Sequence, residues 1–203
     1  QTPNDWFMFG DSGAGYLNPG MLLEDARRGV SDLPSGLDAW VAHNRIYANR
    51  YDLSITGFII DGHSPGMGDE GMQAYLEFSA DGIVGQKIPA QGVFRGVLPH
   101  VRMKLDLDGT PAEAGATLAS LAGVNAPEFL FIRTILKSPS WHRDVMNAAT
   151  AINSSLAFVD PYTFFLLLRA HVQTSHAAAP GAMPEVEFVA RDIHPRPGAR
   201  AGV

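Results

Sequence analysis

The chain of 203 residues contains no cysteine. This absence excludes disulfides, thiolate nucleophiles and metal sites built from cysteine ligands. Basic residues are few as well: 15 lysines and arginines stand against 21 acidic residues, for a formal net charge of −6. Because phosphate binding requires a basic face, nucleic acid is not expected as a partner. No apolar run approaches the roughly 20 residues that a membrane helix requires, so no membrane partner is expected.

Short apolar segments alternate with helical patterns along the chain. Apolar residues make up 46% of the sequence and charged residues 18%, which is typical of a folded globular domain. The alternation predicts an α/β fold with a parallel sheet that helices cover on both faces. Strands are predicted at residues 6–9, 55–60, 129–132 and 156–159, with weaker candidates at 83–84, 93–94 and 101–105. Helices are predicted at about residues 37–51, 71–78, 111–121, 139–152 and 161–172.

Three of the predicted helices begin with a capping residue followed by proline. These pairs are Thr110-Pro111, Ser138-Pro139 and Asp160-Pro161. The side chains of Thr, Ser and Asp accept hydrogen bonds from the free N–H groups of a first helical turn, and proline suits the first helical position. Glu113 follows Thr110 at the spacing of a capping box. The sequence therefore predicts where these helices begin.

A glycine-rich loop follows the first apolar run. Residues 10–19 read Gly-Asp-Ser-Gly-Ala-Gly-Tyr-Leu-Asn-Pro. Glycine permits close approach of a ligand to the main chain, and loops at strand ends commonly carry binding groups. A second glycine-rich loop begins at Asp61, directly after the run 55–60. Because parallel strands end at one edge of a sheet, we expect both loops to contribute to a ligand site there.

The segment Gly13–Pro19 resembles the GxGYxYP motif, which names a family of glycoside hydrolases. The resemblance continues, in the same order, through residues 55–62, 80–83, 127–140 and 158–168. One position departs from the motif, because Asn18 stands where the family has its second tyrosine. Any sugar stacking by that tyrosine in relatives would be lost here or replaced by hydrogen bonding.

The resemblance implies a domain organisation and a substrate. It implies a (β/α) barrel-like domain, partial or deformed, over residues 1–172, with parallel strands and helices outside. Residues 173–203 are rich in Ala, Pro and Gly, and an alternating segment at 185–190 predicts one edge strand. A carbohydrate substrate, no cofactor and a secreted or periplasmic location are expected. About five βα units are too few for an eight-stranded barrel, so we expect the chain to pack against a further N-terminal portion.

Glycoside hydrolysis normally requires two carboxyl groups that flank the scissile bond. Asp61 is the first candidate, because it ends an apolar strand and opens the second loop. Its catalytic partner is expected to be Glu70 or Asp81, with Asp11 and Asp69 as alternatives. A helix or loop cap for Asp61, and solvated loop charges for the others, remain open interpretations.

Polar side chains near the strand ends are expected to bind the substrate. Arg133 lies in an apolar run, where an unpaired charge is costly, so it either pairs with a carboxylate or contacts the substrate. Asp160 suits an N-cap as well as a pocket position. Trp141, at a helix start, is expected to pack in the core. The substrate-binding candidates are Asp11, Ser12, Tyr16, His63, Arg133 and Asp160.

Two other functions remain open from the sequence. The block Phe9-Gly-Asp-Ser12 resembles the first block of GDS-type (SGNH) esterases, in which the serine is the nucleophile. The late Asp-x-x-His that such an enzyme needs is absent, since Asp192-Ile-His194 is one residue short. The other alternative is a carbohydrate-binding accessory domain without catalytic activity.

Two motif-like patterns are set aside. Asp61 and His63 match no specific metal-ligand spacing, so no metal is expected. Residues 66–71 satisfy GxGxxG, but Asp69 and Glu70 would repel the pyrophosphate of a dinucleotide.

Overall fold

The computed structural model describes residues 6–10, 18–23, 33–59, 66–122 and 127–177. Its strands are β1 (Ile55–Ile59), β2 (Gly82–Gly85), β3 (Gln91–Phe94) and β4 (Leu98–Arg102). Its helices are α1 (Leu37–Tyr51), α2 (Asp69–Tyr75), α3 (Pro111–Leu121), α4 (Pro139–Ile152) and α5 (Pro161–Ala177), with a 3₁₀ helix at Pro19–Leu22. No helix in these ranges is both long enough and apolar enough to cross a membrane.

The four strands form one mixed sheet in the order β1-β2-β4-β3. β1 pairs with β2 and β2 with β4 in parallel, whereas β3 runs antiparallel to β4. Only Arg95, Gly96 and Val97 separate β3 from β4, and a connection this short joins antiparallel neighbours because a parallel pair needs a long crossover. The expectation of a sheet that is parallel throughout is therefore wrong at β3.

The described sheet is open. Residue Phe9 adds one parallel bridge to Thr56 at the free edge of β1, and β1 is not paired with β3 in the described part of the chain. The α/β class and the helices on both faces are confirmed. Closure of the sheet into a barrel is not confirmed, because the β3–β4 hairpin folds back and makes the antiparallel β3 an edge strand.

Each face of the sheet is covered by different helices. On one face, Trp40 from α1 and Tyr75 from α2 are buried against Ile83 and Leu98 of the sheet. On the other face, Phe165 and Leu168 of α5 are buried against other strand residues. α5 approaches the sheet closely, since a Cβ atom on Gly82 would lie 2.3 Å from the ring of Phe165.

The chain that follows β4 makes a further short parallel pairing. Residues 104–107 pair in parallel with residues 131–133 through three backbone hydrogen bonds of 2.8–3.2 Å. The predicted strand at 129–132 is thus present as a short extended segment. The predicted strand at 156–159 is wrong: these residues form the extended connection between α4 and α5 and join no ladder. A short apolar run cannot be assigned to a strand from its hydrophobicity alone.

The helix predictions agree closely with the structure. α1, α3 and α4 have the predicted bounds, α2 starts two residues before and ends three residues before the predicted helix, and α5 extends to Ala177. Thr110 and Glu113 form the expected capping box. The edge strand predicted at 185–190 lies outside the described residues.

Candidate functional site

The two glycine-rich loops leave the sheet in the same direction. The amide of Phe9 donates to Ile55 O at 2.7 Å, and the amide of Gly57 donates to Phe9 O at 3.0 Å. These bonds hold the segment at Phe9, which precedes the first loop, parallel to β1. We call the edge at which β1 and β2 end the carboxyl edge. The chain passes into the first loop after Gly10 and into the second after β1, so both loops start toward this edge.

The described ends of the two loops also lie against each other. Asn18 is buried and accepts a hydrogen bond from the Gly20 amide at 2.7 Å, which caps the 3₁₀ helix. A Cβ atom on Gly20 would lie 4.0 Å from Gly66 O, and one on Gly71 would lie 3.5 Å from Pro19. The structure therefore brings together the chain that closes the first loop and the chain that closes the second.

Five of the candidate residues lie outside the described part of the chain. They are Asp11, Ser12, Tyr16, Asp61 and His63. Their roles stay predictions.

Glu70 lies in the first turn of α2, directly after the second loop, and is exposed. It lines a shallow groove of 420 Å³ between α1 and α2. Arg95 reaches the same groove and lies 3.9 Å from Asp69 in a solvent-exposed ion pair. Glu70 is thus accessible to a ligand in solution.

Asp81 lies at the opposite edge of the sheet. It precedes β2, and its carboxylate accepts a 2.6 Å hydrogen bond from the hydroxyl of Ser54, which precedes β1. Its amide donates to Ser54 O at 3.0 Å. This arrangement ties together the starts of two parallel strands, at the edge from which neither loop departs.

Arg133 pairs with a carboxylate. Its guanidinium donates two hydrogen bonds to Asp106, and these bonds hold the pKa of the Asp106 carboxyl below its ordinary value. Of the two expectations for Arg133, the ion pair is confirmed. Lys137 pairs in the same way with Asp108 and lowers the pKa of that carboxyl.

Asp160 is the N-cap of α5. Its carboxylate accepts from the amides of Tyr162 and Thr163 at 2.9 and 3.0 Å, and from the Thr163 hydroxyl at 2.5 Å. The capping interpretation is confirmed, and a role in substrate binding stays a prediction. Glu70, Asp81, Arg133 and Asp160 therefore lie on separate parts of the fold, and the last three are each bound to a different local partner.

Some polar residues at strand ends were missed by the sequence analysis. Asp106 directly follows the predicted strand at 101–105, so the rule that selected Asp61 would also have selected Asp106. Thr134 follows the paired segment 131–133, and its hydroxyl lies 2.7 Å from Nε2 of His142. No spacing rule connects these two residues, because one ends an extended segment and the other lies in a helix.

A large cleft lies beside this pair, and the described ends of the two loops do not line it. It has a volume of about 870 Å³ and lies between α4, α5 and residues 127–134. Within the described ranges, no group of three or more His, Asp or Glu side chains is arranged to hold a metal ion.

Comparison of the chain with protein-family models, with curated proteins and with solved structures gives no match.

Proposed function

We propose that this chain is a glycoside hydrolase domain that binds a poly- or oligosaccharide at the carboxyl edge of β1 and β2. The observation that carries the proposal is the contact between the described ends of the two loops, at Gly20 and Gly66 and at Pro19 and Gly71. In parallel sheets, ligands bind outside the carboxyl ends of the strands. The resemblance of residues 13–19 to the GxGYxYP motif, on one of these loops, supports a sugar as the ligand.

Asp61 is the proposed first catalytic carboxylate, because it follows β1 at this edge by sequence. Glu70 is the proposed second one. It stands in the first turn of α2, where the second loop ends, and its side chain is exposed. Asp81 is the weaker partner, because it is bound to Ser54 at the start of the strands. One carboxyl group would protonate the leaving oxygen, and the other would act as nucleophile or as base for water.

The finer architecture is part of the proposal. The parallel order β1-β2-β4, with α2 between β1 and β2, supports a barrel-like domain that further strands complete. The segment at Phe9, which bridges in parallel to Thr56 at the edge of β1, is where further strands would continue the sheet.

The test is mass spectrometry of O-acetylated oligosaccharides incubated with the full chain. The expected result is scission of the sugar chain with acetyl groups retained. Asp61→Asn and Glu70→Gln are each expected to lower the scission rate by about 100-fold or more, the typical contribution of a general acid or base. Asp144→Asn, at an exposed position of α4, is the matched control and is expected to retain the rate, with its fold checked by thermal melting.

Two results would overturn this proposal. Loss of acetyl groups from intact chains would favour the esterase alternative, with Ser12 as the nucleophile. Binding without any cleavage would favour the accessory-domain alternative.

A further inference from the structure

The cleft lies between α4 and α5, and each of these helices packs against a different part of the fold. α4 packs on α3, whereas α5 packs on β3 and β4. Residues 127–134 form its floor, and the connection 155–161 forms one end. Its volume of about 870 Å³ lies within the range of roughly 300–1,000 Å³ that is usual for small-molecule sites.

Aromatic rings in contact with each other line part of the cleft. Phe164 contacts Phe129 and Phe131 edge to face, with ring centroids 5.6 and 6.0 Å apart. Edge-to-face rings are a favourable arrangement that fixes their orientation. An apolar ligand would therefore meet a preformed surface.

The rim of the cleft exposes large apolar side chains. Phe158 and Val159 are each 43% exposed, and Leu167 is 48% exposed. Removing such apolar surface from water is favourable. The rim thus supplies a driving force for a ligand with an apolar body.

Thr134 and His142 form a hydrogen-bonded polar pair that lines the cleft. Nδ1 of His142 lies 2.8 Å from the carbonyl oxygen of Ser138, and a carbonyl can only accept, so Nδ1 carries the proton. Nε2 then accepts from the Thr134 hydroxyl at 2.7 Å. The Thr134 oxygen keeps the capacity to accept a hydrogen bond from a ligand.

Charge in the cleft is sparse. Of the lining residues, only Glu128, His142 and His171 can ionise, and Glu128 lies 3.4 Å from Lys104. His171 lies against the ring of Phe129. A neutral ligand suits this lining better than an ion, because an unpaired charge is costly in apolar surroundings.

We propose that this cleft binds a neutral amphipathic small molecule. Its apolar body, an aryl group or alkyl chain, lies between α4 and α5 on the Phe129 and Phe164 rings. Its hydroxyl or amide N–H group donates a hydrogen bond to Oγ1 of Thr134. This site does not depend on the glycan site, which uses other residues.

The test is fluorescence titration of the full chain with two matched probes, pyrene and pyrenemethanol, which differ by one hydroxymethyl group. Both are expected to bind saturably. Leu167→Gln is expected to weaken both by about tenfold, because it puts an amide on the cleft wall. Leu166→Gln is the matched control: Leu166 is 56% exposed on the same helix but does not line the cleft, and binding should change less than about twofold.

The hydroxyl contact is tested separately. Thr134→Val is expected to weaken pyrenemethanol by about threefold to tenfold, the usual net value of one hydrogen bond, and to leave pyrene unchanged. Thr134→Ser is expected to restore the preference. The site would be overturned if neither probe bound saturably, or if the two leucine variants lost the same amount of affinity. The hydroxyl contact would be overturned if Thr134→Val weakened pyrene and pyrenemethanol equally.

Discussion

Two regions of this α/β domain contain similar aromatic residues but differ in how well these residues are covered. Between the sheet and the helices α1 and α2, the rings of Trp40, Tyr75 and Phe78 lie 5.1–5.4 Å apart and are buried. Between α4 and α5, the rings of Phe129 and Phe164 make a similar contact but stay half-exposed. We call the first region the closed core.

The difference comes from the helices and not from the side chains. α1 and α2 pack against each other and seal the closed core, whereas α4 and α5 have separate supports. Apolar side chains alone therefore do not close a core; a neighbouring element must also cover them. Where the cover is missing, a cleft remains that a ligand can fill.

The largest effect is expected from truncating one phenylalanine in each region. Phe78→Ala should lower the free energy of unfolding by about 3–5 kcal/mol, because Phe78 is 7% exposed in the closed core. Phe158→Ala, on the cleft rim, should cost about 1 kcal/mol or less and instead weaken pyrene binding. Urea denaturation of both variants measures the difference. Equal costs would show that the cleft is closed in solution.

A smaller effect is expected where α3 crosses α4. A Cβ atom on Gly115 would lie 2.5 Å from Cβ of Ala148 and 2.9 Å from the backbone nitrogen of Ala149. Gly115→Val should therefore force the helices apart, cost about 1–3 kcal/mol and disturb the α4 wall of the cleft. Ala116→Val, at an exposed position of the same helix, is the control and should cost less than about 1 kcal/mol. Similar losses in the two variants would contradict the close crossing.

The smallest effect is expected on the pH dependence of the free energy of unfolding, which tests whether water reaches His100 in the sheet interior. His100 in β4 is buried, and desolvation lowers the pKa of its imidazole below the ordinary 6.5. Its contribution to stability is complete above pH 6.5 and is lost as the pH falls toward the lower pKa of the folded state, because the unfolded chain binds the proton first. Urea denaturation between about pH 5 and 8 should show this slope, and His100→Leu should reduce it. An unchanged slope in the variant would mean that His100 is solvated.

Local chemistry explains which parts of the fold were predictable. The helix starts at Thr110, Ser138 and Asp160 were predicted because a cap and its proline act within one turn. The strand at 156–159 was wrong because its apolar residues serve packing, as Leu156 does beside α4, and not pairing. A strand at 93–94 was predicted, but its antiparallel direction was missed, because that direction follows from the length of one short loop.

Some features of the candidate site could likewise be predicted from the sequence, and others could not. The ion pair of Arg133 followed from the cost of an unpaired charge in an apolar run, although its partner Asp106 did not. The sequence also drew attention to the two loops whose described ends meet at Gly20 and Gly66. It offered no sign of the Thr134–His142 contact, because the two residues belong to different kinds of element.

By itself, the sequence determined the α/β class, most helix bounds and the polar residues that follow apolar strands, because these depend on neighbours within one turn or one strand. The tertiary structure alone decided that Asp81 lies beside Ser54 at the edge where the strands start. It also decided that one aromatic cluster is sealed while the other lines a cleft. Both depend on how distant segments pack, and the free energy of that packing belongs to contacts that no local pattern contains.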